Sequence, residues 1–398
     1  MVLSKAVREL EYKLIIHAGE IITPFSRLKN YSVGIKEDGR IGFIEPSDSV
    51  DVEAEEILNY KDSILVPGFI DIHIHGSAGA DTMDASMESI RKISRFLASK
   101  GVTGFYPTTV TAPMDKIKEA IKAVVNAIKN GVPGAQILGI HLEGPYLSKE
   151  KAGAQDLRFL RTPNTDEIAE LLKIGEGFVK RVTLAPELPG ALDVTKFLVE
   201  KNIVVAMGHT NATYDEAIKA IEAGAKLANH MYNGMRGFHH RDPGIVGAVL
   251  TRDDVYVEII IDNVHHHYAA REIVIRCKGT DRVALISDAI MAAGLADGEY
   301  MLGEQKIIVK NGISRLPDGT IAGSTLTMDQ AIRNVVEHLN VSLMDAVKMA
   351  SYVPAKIMGL DKYKGSIEIG KDADLVILNR DLEVVLTIVK GTIVYKRG

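Results

Sequence analysis

Apolar and polar positions along the chain fall into three textures. From about residue 12 to residue 66 there are short apolar runs separated by turns. These are 14–16, 31–35, 41–44 and 64–66, with Glu37-Asp38-Gly39-Arg40 as a hairpin signal. The last stretch repeats the pattern at 374–378, 384–389 and 392–395, turning at Lys390-Gly391. Neither end holds enough strands for a core of its own. Together they predict one small β-sandwich domain built from 1–66 plus 362–398.

Between the ends, strand-like and helical runs alternate. Residues 69–75, 102–108, 136–143, 181–186, 203–209, 227–230, 255–261 and 283–288 read as strands. Stretches such as 87–100, 114–130, 213–223 and 267–277 carry helical spacing. Eight strands alternating with helices predict an α/β fold, a (β/α)8 TIM-like barrel over 67–361. A doubly wound open sheet is the rival, but no Gly-x-Gly-x-x-Gly turn follows the first strand.

Composition sharpens this picture without redirecting it. At 398 residues, 46% hydrophobic and 25% charged, the chain can bury one large core and a smaller companion. A net charge of −5 without a basic stripe argues against nucleic acid as a partner. Any anionic substrate must then be met by local cations. Arg8, Glu9 and Glu11 stand where a secretory leader needs an apolar run, and no apolar stretch reaches bilayer length. The single cysteine, Cys277, reads as a buried thiol without an intrachain partner, which suits a reducing compartment. A cytoplasmic protein without membrane association is expected.

The ionisable residues change the picture most. His73 and His75 lie two apart at the end of the first barrel strand, so both imidazoles point the same way. Glu143 ends the third strand, His209 the fifth, His230 the sixth and Asp288 the eighth. All six fall at carboxyl ends, where barrel enzymes gather their active sites. Imidazole with carboxylate suits Zn²⁺ first, and Fe²⁺, Mn²⁺ or Co²⁺ as well. Glu143, His209 and His230 would hold one ion and leave a position for water. His73 and His75 could hold a second, with Glu143 or a hydroxide bridging. A divalent ion lowers the pKa of water toward neutrality, so the set reads as a hydrolytic centre. Asp288 is not needed to complete the three-ligand set. It suits a general base that later protonates a leaving amine, a role that can coexist with metal ligation.

The motifs around these residues resemble a known family. Pro67-Gly68-Phe69-Ile70-Asp71-Ile72-His73-Ile74-His75-Gly76 is similar to the first barrel strand of the amidohydrolase superfamily. His141-Leu142-Glu143-Gly144-Pro145-Tyr146, Gly208-His209-Thr210-Asn211-Ala212, Asn229-His230-Met231-Tyr232-Asn233-Gly234-Met235 and Ser287-Asp288-Ala289 narrow the likeness. They resemble the N-acetylglucosamine-6-phosphate deacetylase family, as do Asp242-Pro243-Gly244 and Gly323-Ser324-Thr325-Leu326-Thr327-Met328. The resemblance implies hydrolysis of an N-acetyl group from a phosphorylated amino sugar, releasing acetate and the amine. Many binuclear amidohydrolases bridge their metals with a carboxylated lysine at the end of strand 4. Here that strand ends Leu184-Ala185-Pro186-Glu187, with Lys180 at its opposite end, and the resemblance gives the bridging place to Glu143. It also implies that a chain keeping both His73 and His75 can hold two ions.

The same resemblance assigns substrate contacts. Asn233 and the backbone of Gly234 match a phosphate-contacting turn, and Arg241 and His265 match cations that meet the sugar phosphate. One or both cations can come from the neighbouring subunit of a homodimer. An arginine fork suits phosphate. Two positions depart from the family. Gly234 stands where Ala is more frequent, and Gln155 where a His usually lies near the sugar hydroxyls. Gln155 can hydrogen-bond but cannot become cationic, which keeps N-acetylgalactosamine 6-phosphate open as the alternative substrate.

Other histidines carry less. His141, two residues before Glu143, faces the same lumen and is expected to orient it, with an ordinary buried histidine as the alternative. His266, His267, His239 and His240 read as structural, solvated or loop-packing. An N-acyl-amino-acid hydrolase is disfavoured by Asn233 with Arg241, and an inactive barrel scaffold by the complete set of six.

Overall fold

In the computed structural model of the chain, residues 11–398 are described, so Arg8 and Glu9 lie outside the described residues. The chain opens with β1 (Tyr12–Ile22), β2 (Arg27–Ile35), β3 (Ile41–Pro46) and β4 (Ala54–Pro67). The barrel follows at once with β5 (Phe69–Ile74), β6 (Val102–Thr109), β7 (Ile140–Glu143) and β8 (Val179–Leu184). It continues with β9 (Val204–Met207), β10 (Leu227–Ala228), β11 (Tyr256–Ile259) and β12 (Val283–Leu285). Each barrel strand pairs in parallel with the next. The ring is joined just past the last ladder, where Asp288 N–H donates to the His73 carbonyl at 3.0 Å and His75 N–H to that of Ala289 at 2.9 Å. The seam between first and last strands therefore runs through three of the expected site residues.

The helices between these strands present one apolar stripe each. In α1 (Met87–Ala98) Ser86 caps the first turn, and in α2 (Met114–Asn130) Ile117, Ala120, Ile121, Val124 and Val125 recur at the three-to-four spacing and are buried. The sheet joins this apolar layer through Ile70, Ile72 and Ile74 of β5.

The two chain ends meet as expected, and they do so in one continuous seven-stranded sheet. After the barrel come β13 (Gly298–Leu302), β14 (Gln305–Lys310) and β15 (Ile313–Arg315), which form a separate antiparallel sheet. The last strands, β16 (Leu375–Leu378), β17 (Val384–Val389) and β18 (Thr392–Lys396), extend the N-terminal strands in the order β18-β17-β16-β4-β1-β2-β3. Alternation along β16 divides its faces. Leu375 and Ile377 enter the end sheet's own core with Ile16, Val33 and Leu65, while Val376 and Leu378 pack into the barrel core.

Cys277, expected to be buried, is exposed. On α3 (Tyr268–Lys278) the buried stripe is Arg271, Val274 and Lys278, and Cys277 lies to one side of it. Among the described residues no helix is long and apolar enough to cross a membrane.

Candidate metal and active site

Period-two alternation on β5 sets Asp71, His73 and His75 opposite the three isoleucines, toward the inside of the barrel. His209 and Asp288, each just past a strand end, sit at φ of 46° and 48°. A left-handed residue other than glycine costs of order 1 kcal/mol or more and needs surroundings that enforce it. The enforcement is visible. The His209 carbonyl accepts Ser148 N–H at 2.8 Å, and the Asp288 carbonyl accepts Ser324 N–H at 2.8 Å.

Glu143 stands at the centre. Its Oε1 lies 3.2 Å from His230 Nε2, 3.4 Å from His73 Nε2 and 3.5 Å from His209 Nε2. Its Oε2 lies 3.4 Å from His75 Nε2. Asp288 Oδ1 is 3.2 Å from His75 Nε2 and 3.5 Å from His73 Nε2. All six residues read from the strand ends are brought together.

The opposite ring nitrogen of each histidine is tied outward. His75 Nδ1 meets the Thr108 carbonyl at 3.2 Å, His209 Nδ1 that of Lys151 at 2.9 Å, and His230 Nδ1 that of Asn233 at 3.1 Å. A carbonyl oxygen only accepts, so each Nδ1 carries a proton and each Nε2 is turned inward. His73 Nδ1 faces Glu258 Oε2 at 3.2 Å, and its Nε2 is buried without a hydrogen-bond partner. Outward-anchored imidazoles with inward lone pairs are what a coordinated ion requires.

The charges agree. Burial alone would lower His73, but Glu143, Asp288 and Glu258 outweigh it and raise it to about 9. His75 is raised well above its ordinary value, burial being overcome by Asp288 and Glu143. Burial disfavours the charged form of Asp288, yet the imidazoles hold it at about 2, and they hold Glu143 well below the carboxylate range in the same way. Two buried carboxylates thus demand positive charge, which protons on Nε2 supply here and a divalent ion would supply at the same atoms. Ligand atoms of His73, Glu143 and His230, and of His73, His75 and Asp288, lie within 4.8 Å of one another. The residues present fit a divalent metal.

Beneath this cluster lies a polar layer that sequence reasoning missed. Arg181 bonds Glu258 through Nη1, the Ile72 carbonyl at 2.9 Å, and Asn229 Oδ1 at 2.5 Å through Nη2. Asn229 Nδ2 donates to Glu143 Oε1 at 3.1 Å. Asp71 accepts the Ser287 hydroxyl at 2.5 Å and so steadies the residue before Asp288. The signal was a lone Glu258 between Val257 and Ile259, and an Arg181 whose alternation with Lys180 puts one of the two charges on the inner face of the strand. Arg181→Met is expected to destabilise the protein by about 3–5 kcal/mol in denaturant melts, because it strands a buried carboxylate. Adding Glu258→Leu should recover part of that loss; no recovery would show that Glu258 is not the liability.

His141 is corrected by the geometry. Its Nδ1 lies 3.1 Å from Thr108 Oγ1 and its Nε2 2.7 Å from Thr183 Oγ1, and neither bonds Glu143. Two residues earlier on a strand is about 6.6 Å deeper, which puts it in the threonine layer.

The cluster floors an open cavity of about 230 Å³. Asn233, Gly234 and His265 line one wall. Gly234 has φ of 59°, and a Cβ there would stand 2.8 Å from His209 Nδ1, so an alanine at this turn would require the His209 ring to shift. His265 Nδ1 meets Asp262 Oδ2 at 2.7 Å; burial opposes its charge, and Asp262 raises it nonetheless. Gln155 also lines the cavity, but its side-chain amide is engaged with Glu143 Oε2 at 2.8 Å and with Thr111 N–H at 2.7 Å. Leu302 of β13, with Thr320 and Ile321 just past β15, forms a further wall that was not anticipated. Its signal was Asn311-Gly312 between apolar runs, a two-residue hairpin turn. Arg241 is exposed, bonds His240 Nε2 at 2.7 Å, and does not line the cavity. His266, read as structural, bonds the carbonyls of Ile260 and Met231.

Residues 64–394 match the amidohydrolase family. The chain is similar to the N-acetylglucosamine-6-phosphate deacetylase of Vibrio furnissii, 42% identical over 363 residues, 91% of this chain and 90% of that protein. It is 38% identical to the N-acetylgalactosamine-6-phosphate deacetylase of Escherichia coli O157:H7, over 93% of this chain and 96% of that one. Among solved structures it resembles an aspartate-to-alanine variant of the Mycobacterium smegmatis N-acetyl-D-glucosamine-6-phosphate deacetylase in complex with N-acetyl-D-glucosamine-6-phosphate. That likeness has a TM-score of 0.91 at 34% identity, covering 97% of this chain and 100% of that one.

Proposed function

The chain belongs to the amidohydrolase family, and from that premise we propose that it is a metal-dependent N-acetylglucosamine-6-phosphate deacetylase. It would hydrolyse the N-acetyl group of N-acetyl-D-glucosamine 6-phosphate to give glucosamine 6-phosphate and acetate. The observation that carries this reading is the convergence of four Nε2 atoms on Glu143, with Asp288 beside them on the floor of one cavity.

Glu143, His209 and His230 would hold one divalent ion, and His73 and His75 with Glu143 a second, Zn²⁺ being the first choice for these donors. Such an ion, when bound, polarises a carbonyl and lowers the pKa of water. Asp288 takes a proton from the attacking water as its oxygen bonds the acetyl carbon. It returns the proton to the sugar nitrogen as the C–N bond breaks, which leaves acetate and a free amine. Asn233, the Gly234 N–H and His265 would orient the phosphate. A homodimer would bring Arg241 of one subunit to the phosphate in the other, since Arg241 stays outside its own cavity.

The second reading is the galactosamine 6-phosphate analogue, supported by the Escherichia coli relative. Acetate release from a panel of N-acetylhexosamines, phosphorylated and not, with metal content measured on the same preparation, tests both. Turnover confined to unphosphorylated substrates would reject both. Arg241→Ala is expected to raise KM for the phosphorylated sugar about ten- to hundredfold with kcat nearly unchanged, from the loss of a charge-assisted hydrogen bond. An unchanged KM would remove Arg241 from the phosphate site. We also read 1–66 plus 362–398 and 67–361 as the two domains, and place the enzyme in the cytoplasm.

A further inference from the structure

We propose that Gln155 is a positioning residue that sets the orientation of the Glu143 carboxylate for metal binding, an inference that rests on the deacetylase reading above. Both ends of its amide are used. Oε1 accepts Thr111 N–H at 2.7 Å, and Nε2 donates to Glu143 Oε2 at 2.8 Å. The other carboxylate oxygen, Oε1, is held by Asn229 Nδ2 at 3.1 Å. Each oxygen of Glu143 thus receives one amide N–H from a different side. The plane of the carboxylate is fixed with Oε1 facing His230, His73 and His209, and Oε2 facing His75.

Gln155 is itself held in place. It is 8% exposed, its N–H donates to the Ala152 carbonyl at 2.9 Å, and the preceding carbonyl, Ala154, accepts Gln305 Nε2 at 2.5 Å. Gln305 begins β14, so the antiparallel sheet that walls the cavity also pins the loop carrying Gln155. A residue free to read sugar hydroxyls would have its amide turned to open space. This one spans from a backbone N–H to a metal-ligand carboxylate, and only its second N–H hydrogen and second lone pair remain for anything else.

The test measures affinity for Zn²⁺ or Co²⁺ alone, by competition with a chelator, together with kcat, KM and the melting temperature of the metal-free protein. Gln155→Leu is expected to weaken ion binding about ten- to hundredfold, as loss of a hydrogen bond to a ligating group does. It should lower kcat while leaving KM within a few fold. Gln155→His keeps one donor and one acceptor, and should recover most of the ion affinity. If the leucine variant does not fold, Gln155→Ala reads the same quantities. Ion affinity unchanged in Gln155→Leu, with the defect confined to KM, would overturn the inference and make Gln155 a sugar contact. Wild-type protein that takes up no divalent ion would instead sink the deacetylase reading itself.

Discussion

Replacing Asp288 by asparagine is expected to leave fold and metal content close to wild type while turnover falls by about two to four powers of ten. The side chains have the same shape, and the Asp288 backbone is fixed from both sides by the His73 carbonyl and Ser324 N–H. What changes is that an amide takes up no proton from water and has none to return to a departing nitrogen. Asp288 is suited to the task because it lies against His75 and His73 at one edge of the cluster, whereas Glu143 is enclosed by all four imidazoles. The check is kcat and metal stoichiometry on one preparation. Near-normal turnover would take Asp288 out of proton transfer. Loss of metal in step with activity would make it a ligand first.

Glu143→Gln should show the opposite pattern, with metal and turnover lost together. The carboxylate is within 3.5 Å of every inward-facing imidazole nitrogen, so it is placed to serve both proposed ion positions. Removing one partner from a buried charged arrangement costs about 3–5 kcal/mol, which corresponds to a fall in ion affinity of about two to four powers of ten. Turnover should fall at least as far. A variant that still binds ions with wild-type affinity and stoichiometry would show that the imidazoles hold them without the bridge.

Much of this was legible before any coordinates. The alternation Ile70-Asp71-Ile72-His73-Ile74-His75 is a local rule, and it held because a strand buried on both faces must segregate its polar residues to one of them. Glu143, His209, His230 and Asp288 were recognisable as strand-end residues for the same reason. The likeness in motifs carried the substrate class, which no amount of periodicity would have supplied.

The sequence by itself determined which side chains reach the carboxyl rim of the barrel, because strand and helix periods are properties of neighbouring residues. The tertiary structure alone decided what each one touches. The partner of His73 is 185 residues away on β11, and that of Gln155 is 44 residues away. Strand tilt and stagger set such pairings, and they put His141 among threonines and the β13–β15 sheet over the cavity. They also leave Arg241 outside the cavity of its own chain. Cys277 makes the same point in a helix, where its exposure depends on which side the barrel covers.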